Sequence, residues 1–365
     1  MSRAVSHTPR RVTFPHMGEY WLPFSTLAEM MGAVPVVAPK ITRHTLEAGA
    51  HVSPEFVCVP FKYNMGNFLE TLEGDVDVIV QAGGGCRFGY YGEVQDAILR
   101  DMGHSFELVN LFEARSLPTL LRDLRRVQPG VSYARIVRGF SVAWRQALSI
   151  EAVEEFVRKN VGFERERGAI DRVVAAFLRD LRPTRTLRDV ARVREAALQA
   201  LAAVPLDKPE RPLRVGVVGE LYVLMEPFAN CGVERKLAEH GVEVHRFITL
   251  TSLLQSGLGG RKHVRHALQK AGPWVTYHLG ADGTESVANT WELMNAGFDG
   301  MVHVKPFGCM PEVSAMSVLQ RISREHTFPV LFLSFDAQTA EAGVTTRVEA
   351  FCDMLEMRKR RHASA

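Results

Sequence analysis

The sequence predicts an α/β protein with two flavodoxin- or Rossmann-like parallel-sheet domains and an intervening helical segment. Three observations point there. Short apolar runs alternate with helical patterns in the first third of the chain and again in the last. The middle carries helical periodicity and no strand pattern. A proline-rich stretch then separates the middle from the second alternation.

Arg11-Val12-Thr13-Phe14 reads as the first strand, and residues 19–32 carry the apolar face Trp21, Phe24, Leu27, Met30, Met31 of a helix. Val34–Ala38, Glu55–Val59, Val76–Gln81 and Phe106–Leu111 are further strand expectations, with a helix over Val94–Met102. Beyond residue 112 the signal changes. Ile170, Val173, Val174, Phe177, Leu178 and Leu181 recur at helical spacing. After Pro183, Leu187, Val190, Ala197, Leu198 and Leu201 continue the stripe, and the Arg and Glu residues between them form a solvated face. Pro205-Leu-Asp-Lys-Pro209-Glu-Arg-Pro212 is a linker. Strands are then expected at Leu213–Val218, Val242–Ile248, Met301–Lys305 and Val330–Phe335, with helices over 285–296 and 313–325. The domain expectation is therefore an α/β domain over 11–112, a helical segment over 113–204, the linker 205–212 and a second α/β domain over 213–365. The basic end Arg358-Lys359-Arg360-Arg361 closes a helix, where cations suit the helix dipole.

Composition narrows the function classes. With 44 Lys and Arg against 41 Asp and Glu the net charge is +3, too small for a dedicated nucleic-acid binder. Five cysteines are few and odd in number, which argues against a disulfide scaffold. No apolar run approaches the ~20 residues of a membrane span, and the first residues lack the apolar core of a signal peptide. The expectation is a cytoplasmic protein with reduced thiols.

Four of the five cysteines fall at comparable places. Cys58 is read at the end of a strand, just before Pro60. Cys86 follows Val76–Gln81 through Gly83-Gly84-Gly85. Cys309 follows Met301–Lys305 through Pro306-Phe307-Gly308. Cys231 lies in Glu226-Pro-Phe-Ala-Asn-Cys-Gly232, beyond Leu213–Val218. Open α/β sheets bind ligands at the carboxyl ends of their strands, so two facing domains would bring four thiols to one crevice. Soft thiolates select iron–sulfur clusters, zinc or Cu(I). No paired C-x-x-C knuckle is present, which suits a cluster gathered by the fold better than a structural zinc site. The neighbouring glycines allow close backbone approach, and backbone N–H groups can hydrogen-bond cluster sulfides. Cys352, near Val348, Phe351 and Leu355 on a helix, reads as core.

At these segments the chain resembles a known family. Pro54-Glu-Phe-Val-Cys58-Val-Pro-Phe-Lys62-Tyr-Asn64, Gln81-Ala-Gly-Gly-Gly-Cys86-Arg-Phe-Gly-Tyr-Tyr-Gly92, Glu226-Pro-Phe-Ala-Asn-Cys231 and Lys305-Pro-Phe-Gly-Cys309-Met-Pro-Glu312 are similar to segments of the CoA-enzyme activase-related proteins. These are relatives of the iron–sulfur subunits of 2-hydroxyacyl-CoA dehydratases and of double-cubane cluster proteins. The resemblance spans roughly residues 11–355. It implies an oxygen-sensitive 4Fe–4S cluster on Cys58, Cys86, Cys231 and Cys309 and low-potential single-electron transfer. It also implies a separate ATP-dependent activase as partner and an acyl-CoA substrate of a dehydratase-like lyase or reductase. The chain lacks the nucleotide-binding activase domain of the larger relatives. Four thiolates are too few for a double cubane, so a single cluster is expected, with a cluster bridging a homodimer as the other arrangement.

No G-x-x-x-x-G-K-[ST] loop occurs, and neither Gly83-Gly-Gly-Cys nor Gly257-Leu-Gly-Gly is a dinucleotide fingerprint. The triple glycine also suits an anion at a helix start. His263-Val-Arg-His266 reads as a surface helix. His278-Leu-Gly-Ala-Asp-Gly-Thr-Glu285 is a glycine-rich turn opening a helix, able to aim His278 or Glu285 at the crevice. Lys62, Arg87 and Lys305 adjoin cluster cysteines, where positive charge offsets a thiolate-ligated cluster or binds a phosphate of CoA. The sequence singles out no catalytic residue. Two further classes stand beside the redox enzyme. One is a non-catalytic cluster carrier or scaffold; the other is a zinc-stabilised or metal-free small-molecule-binding protein.

Overall fold

A computed structural model describes residues 8–82, 90–111, 116–259 and 261–363. It is an α/β structure with two four-stranded, all-parallel sheets. The elements of the first sheet are β1 (Arg11–Thr13), α1 (Trp21–Met31), β2 (Val34–Pro35), α2 (Arg43–Val52), α3 (Val59–Leu72), β3 (Val78–Gln81), α4 (Tyr91–Asp101) and β4 (Glu107–Asn110). Helices α5 (Leu117–Val127), α6 (Tyr133–Asn160), α7 (Ala169–Leu181) and α8 (Leu187–Ala202) follow. The second sheet begins with β5 (Leu213–Gly219), α9 (Leu221–Met225), α10 (Val233–Glu239) and β6 (Val242–Arg246). It continues through α11 (Leu250–Gly259), α12 (Arg261–Lys270), α13 (Gly283–Asn295), β7 (Gly300–Pro306), α14 (Met310–His326), β8 (Val330–Phe335) and α15 (Glu341–Ala363).

The strand orders are β2-β1-β3-β4 and β6-β5-β7-β8. Each is the same 2-1-3-4 pattern, the doubly wound order of flavodoxin-like sheets. In each, the chain leaves the first strand toward one edge and then crosses back to the other side. The topological switch points therefore lie between β1 and β3 and between β5 and β7. The register Val12↔Val78 and Val80↔Val109 puts these valines on one face of the first sheet, with Ala28 and Met31 of α1 and Leu124 and Val127 of α5 in their core cluster. In the second sheet Val218 and Met301 pack with Val287 and Leu293 of α13 and Leu319 and Ile322 of α14. Every residue of β7 is buried.

Cα packing divides the chain into two compact units. The first holds the described residues through Val57 with Phe61–Ile150 and Arg179–Val193. The second holds Cys58–Pro60, Glu151–Leu178 and the chain from Arg194. No helix is long and apolar enough to cross a membrane among the described residues.

One sequence expectation is overturned. Glu55–Val59 is not a strand: the segment turns, and α3 begins at Val59. Pro60 explains why. Proline has a φ preset for a helix and lacks an N–H that the first turn leaves unpaired anyway. Cys58 is thus the residue that enters a helix.

Candidate functional site

The second sheet's switch point carries the densest chemistry. Gly219 ends β5 at φ +144, and a Cβ there would lie 1.7 Å from the Val304 carbonyl oxygen of β7. Only glycine lets the two strand ends come this close. The next residue is Glu220, whose carboxylate accepts from the backbone N–H groups of Tyr222 (3.1 Å) and Val223 (3.0 Å). Across the edge, Asp282 Oδ2 accepts from Leu221 N–H at 3.2 Å. Glu312, on the first turn of α14, accepts from Ser286 Oγ (3.1 Å) and pairs with His303 Nε2 of β7 (2.7 Å). His303 is 0% and Glu312 1% exposed.

Two of these carboxyls are shifted by burial and by neighbouring charge. Burial, opposed by its two backbone donors and helped by Glu312, lifts Glu220 to about 7. Burial and the fields of Glu312, Glu220 and Glu285 hold Asp282 well above the ordinary carboxylate range. Glu220 thus holds its proton up to about pH 7.

Cys309 occupies the N-cap of α14, with Pro311 in the helix's first turn. Cys58 precedes α3 in the same way, with Pro60 in that helix's first turn. The two share a Cys-x-Pro start, Cys58-Val-Pro and Cys309-Met-Pro. A helix start favours a thiolate. Burial and the carboxylates of Glu220 and Glu312 nevertheless push the Cys309 thiol far up. The backbone N–H of Glu312 opposes them, and Cys58 adds to the rise.

Lys305, near the end of β7, is 3% exposed and donates to the Phe307 carbonyl oxygen at 3.3 Å. Burial lowers its ammonium; Cys309 and Glu312 draw it back up. Cys231 has its own surroundings. It sits at φ +55 before Gly232 at φ +65, in a turn tied by Asn230 Nδ2 to the Val223 carbonyl oxygen at 2.6 Å. Burial and Glu341 raise its thiol while Lys236 lowers it. The charges felt by Cys231 and by Cys309 are thus different sets.

His278 is exposed, with Nδ1 2.9 Å from Thr284 Oγ1. Lys62 is buried on α3 in the first unit. Cys86 and Arg87, with the triple glycine, lie outside the described residues. His263 of the His-x-x-His pair stands on α12 and bonds Glu285 at 2.9 Å. Cys352 is 1% exposed in the core, where burial lifts its thiol to about 12.

Among the described residues, no three His, Cys, Asp or Glu side chains group as a metal site. The donors present still suit a soft metal. The thiols of Cys58 and Cys309 stand at helix starts outside any disulfide, and a buried thiol such as Cys309 becomes a thiolate when a metal replaces its proton.

Glu220, Asp282, His303 and Glu312 were missed as candidates in the sequence reading. A signal existed for two of them: an acid directly after the glycine ending an apolar strand, and a lone histidine inside the apolar run Met301–Val304. No family model matches the chain, and no curated protein matches its sequence.

Proposed function

We infer that the chain is an iron–sulfur protein that passes single low-potential electrons, with Cys58 and Cys309 as ligands to one 4Fe–4S cluster and Cys86 and Cys231 completing the set. The observation that supports this reading is the pair of Cys-x-Pro helix starts, Cys58 just before α3 and Cys309 at the N-cap of α14 beyond β7. Bound there, the cluster would supply one-electron redox chemistry. The ammonium of Lys305 offsets its negative charge, and the first-turn N–H groups of α14 face its thiolate. The electron source is an ATP-hydrolysing activase, a separate protein. The acceptor is an acyl-CoA in a dehydratase-like or reductive reaction. Glu220 and Asp282, two buried carboxyls at one strand edge with raised proton affinity, favour a site that does chemistry over one that only carries electrons.

Anaerobic purification with iron and acid-labile sulfide analysis tests the cluster. About four irons and four sulfides per chain are expected, the count of one such cluster. Colourless protein holding zinc and no iron overturns it. Cys58→Ala or Cys309→Ala is expected to remove most of the iron and Cys352→Ala none; equal iron in all three contradicts the assignment. Turnover of an acyl-CoA panel by the reduced chain alone separates an enzyme from a carrier.

A further inference from the structure

A cavity of about 400 Å³ opens between α6 and the start of α8. Arg138, Ser141 and Val142 line it from α6; Thr186, Leu187 and Arg188 line it from the α8 side. All six belong to the first compact unit. Small-molecule sites occupy roughly 300–1,000 Å³, so the space suits a small ligand. The α6 residues fall at i, i+3 and i+4, which is one face of a helix. One turn further along, Gln146 is 0% exposed. Its Nε2 donates to Thr184 Oγ1 at 2.9 Å and reaches the carbonyl oxygens of Leu181 and Thr184 at 3.4 Å. The loop leading into α8 is thereby fastened to α6, and both walls are held in place.

Most polar groups around the cavity are already engaged. Ser141 Oγ donates to the Val137 carbonyl oxygen at 2.8 Å. Thr186 Oγ1 donates to Asp189 Oδ2 at 2.6 Å and accepts from the Asp189 N–H at 3.2 Å. Asp189 also accepts from Arg192 at 3.2 Å. The α8 start is thus already capped and carries its own acid, so the helix terminus adds little to the site. Arg182 lies over the Trp21 ring, and Arg185 bonds Glu29 and the carbonyl oxygens of Arg182 and Thr184. Arg138 and Arg188 differ from these neighbours. Both are exposed, and neither has a hydrogen-bond, ion-pair or ring partner among the described residues. No acid is among the lining residues, and Val142 and Leu187 supply an apolar wall. The surrounding charge favours an anion. Residues 117–150 and 179–193 carry eleven arginines against three aspartates, with no lysine or glutamate, in a chain of net charge +3.

We propose that this cavity binds a small organic phosphate, its phosphoryl oxygens held by the Arg138 and Arg188 guanidiniums and its apolar body laid against Val142 and Leu187. A guanidinium presents a planar fork of donors that matches phosphate oxygens two at a time. A phosphate monoester carries nearly two negative charges at neutral pH, which suits two unpartnered cations better than a single carboxylate does. The site involves none of the cysteines, and its test does not depend on iron.

Isothermal titration of the full-length chain with phenyl phosphate, a phosphate on a small apolar ring, tests the site. One probe per chain should bind, saturating by about 1 mM. Inorganic phosphate, which lacks the ring, should bind about tenfold more weakly. Benzyl alcohol, which lacks the charge, should give no saturable heat. Arg138→Gln and Arg188→Gln should each weaken phenyl phosphate binding about tenfold or more, as loss of a hydrogen bond to a charged group does. Both positions are exposed, so both variants should melt as the wild type does. Arg145→Gln removes another exposed, unpartnered arginine of α6 that does not line the cavity, and should change binding by less than about twofold, since distant surface charge is screened. A wild-type chain without saturable binding overturns the proposal. So does binding no tighter than that of inorganic phosphate, binding indifferent to Arg138 and Arg188, or an equal loss in Arg145→Gln.

Discussion

Glu220 illustrates how one position is set by its surroundings. It follows the glycine that ends β5, and its carboxylate gains two backbone N–H groups while losing water. Burial dominates, so the native state holds its proton up to about pH 7, well above the ordinary carboxylate value of about 4.3. The native state binds the extra proton, so this stabilisation is complete below the unfolded-state value and is lost as pH rises through about 7. The shift corresponds to at most about 3 kcal/mol, and less because Glu220 keeps partial exposure. Chemical denaturation between pH 5 and 8 should show wild-type stability falling, with Glu220→Gln flattening the fall. A wild-type profile rising over that range contradicts the assignment. Cys309→Ser is the second residue-scale case: serine caps a helix well, so unfolding should change by under about 1 kcal/mol while iron is lost. Loss of folding along with the iron would make Cys309 structural.

At the scale of elements, the close approach of β5 and β7 builds the site. Gly219→Ala places a methyl carbon 1.7 Å from the Val304 carbonyl oxygen in a backbone conformation alanine resists. Urea unfolding should show a loss of about 3 kcal/mol or more, and a loss under about 1 kcal/mol would mean the strands can part at no cost. The elements of the second sheet were legible because buried parallel strands read as continuous apolar runs, as Leu213–Val218 and Val330–Phe335 do. Helices α7 and α8 followed from their apolar stripes and the break at Pro183. Glu55–Val59 misled because Phe56, Val57 and Val59 resemble a strand, although Pro60 marks a helix start. Tertiary burial, invisible to periodicity, decides the site acids. Glu312, which sequence pattern does not single out, is 1% exposed and pairs with His303.

On the scale of the whole molecule, two sheets share one strand order, and each has a switch point followed by a cysteine-bearing segment: Cys86 after β3, Cys309 after β7. The fold class was readable from the alternation of elements. The cysteine placement was readable only as expectation, because bringing distant loops together depends on packing that local pattern does not encode. Cys58 and Cys309 both stand at helix starts, Cys231 answers to other charges than Cys309, and Cys86 lies outside the described residues. Iron-edge X-ray absorption on the anaerobically prepared full-length chain tests the central claim most directly. Sulfur-only coordination with iron–iron scattering, both diminished in Cys58→Ala and Cys309→Ala, is the predicted result. Iron bound through oxygen and nitrogen, or a spectrum indifferent to both cysteines, would contradict it.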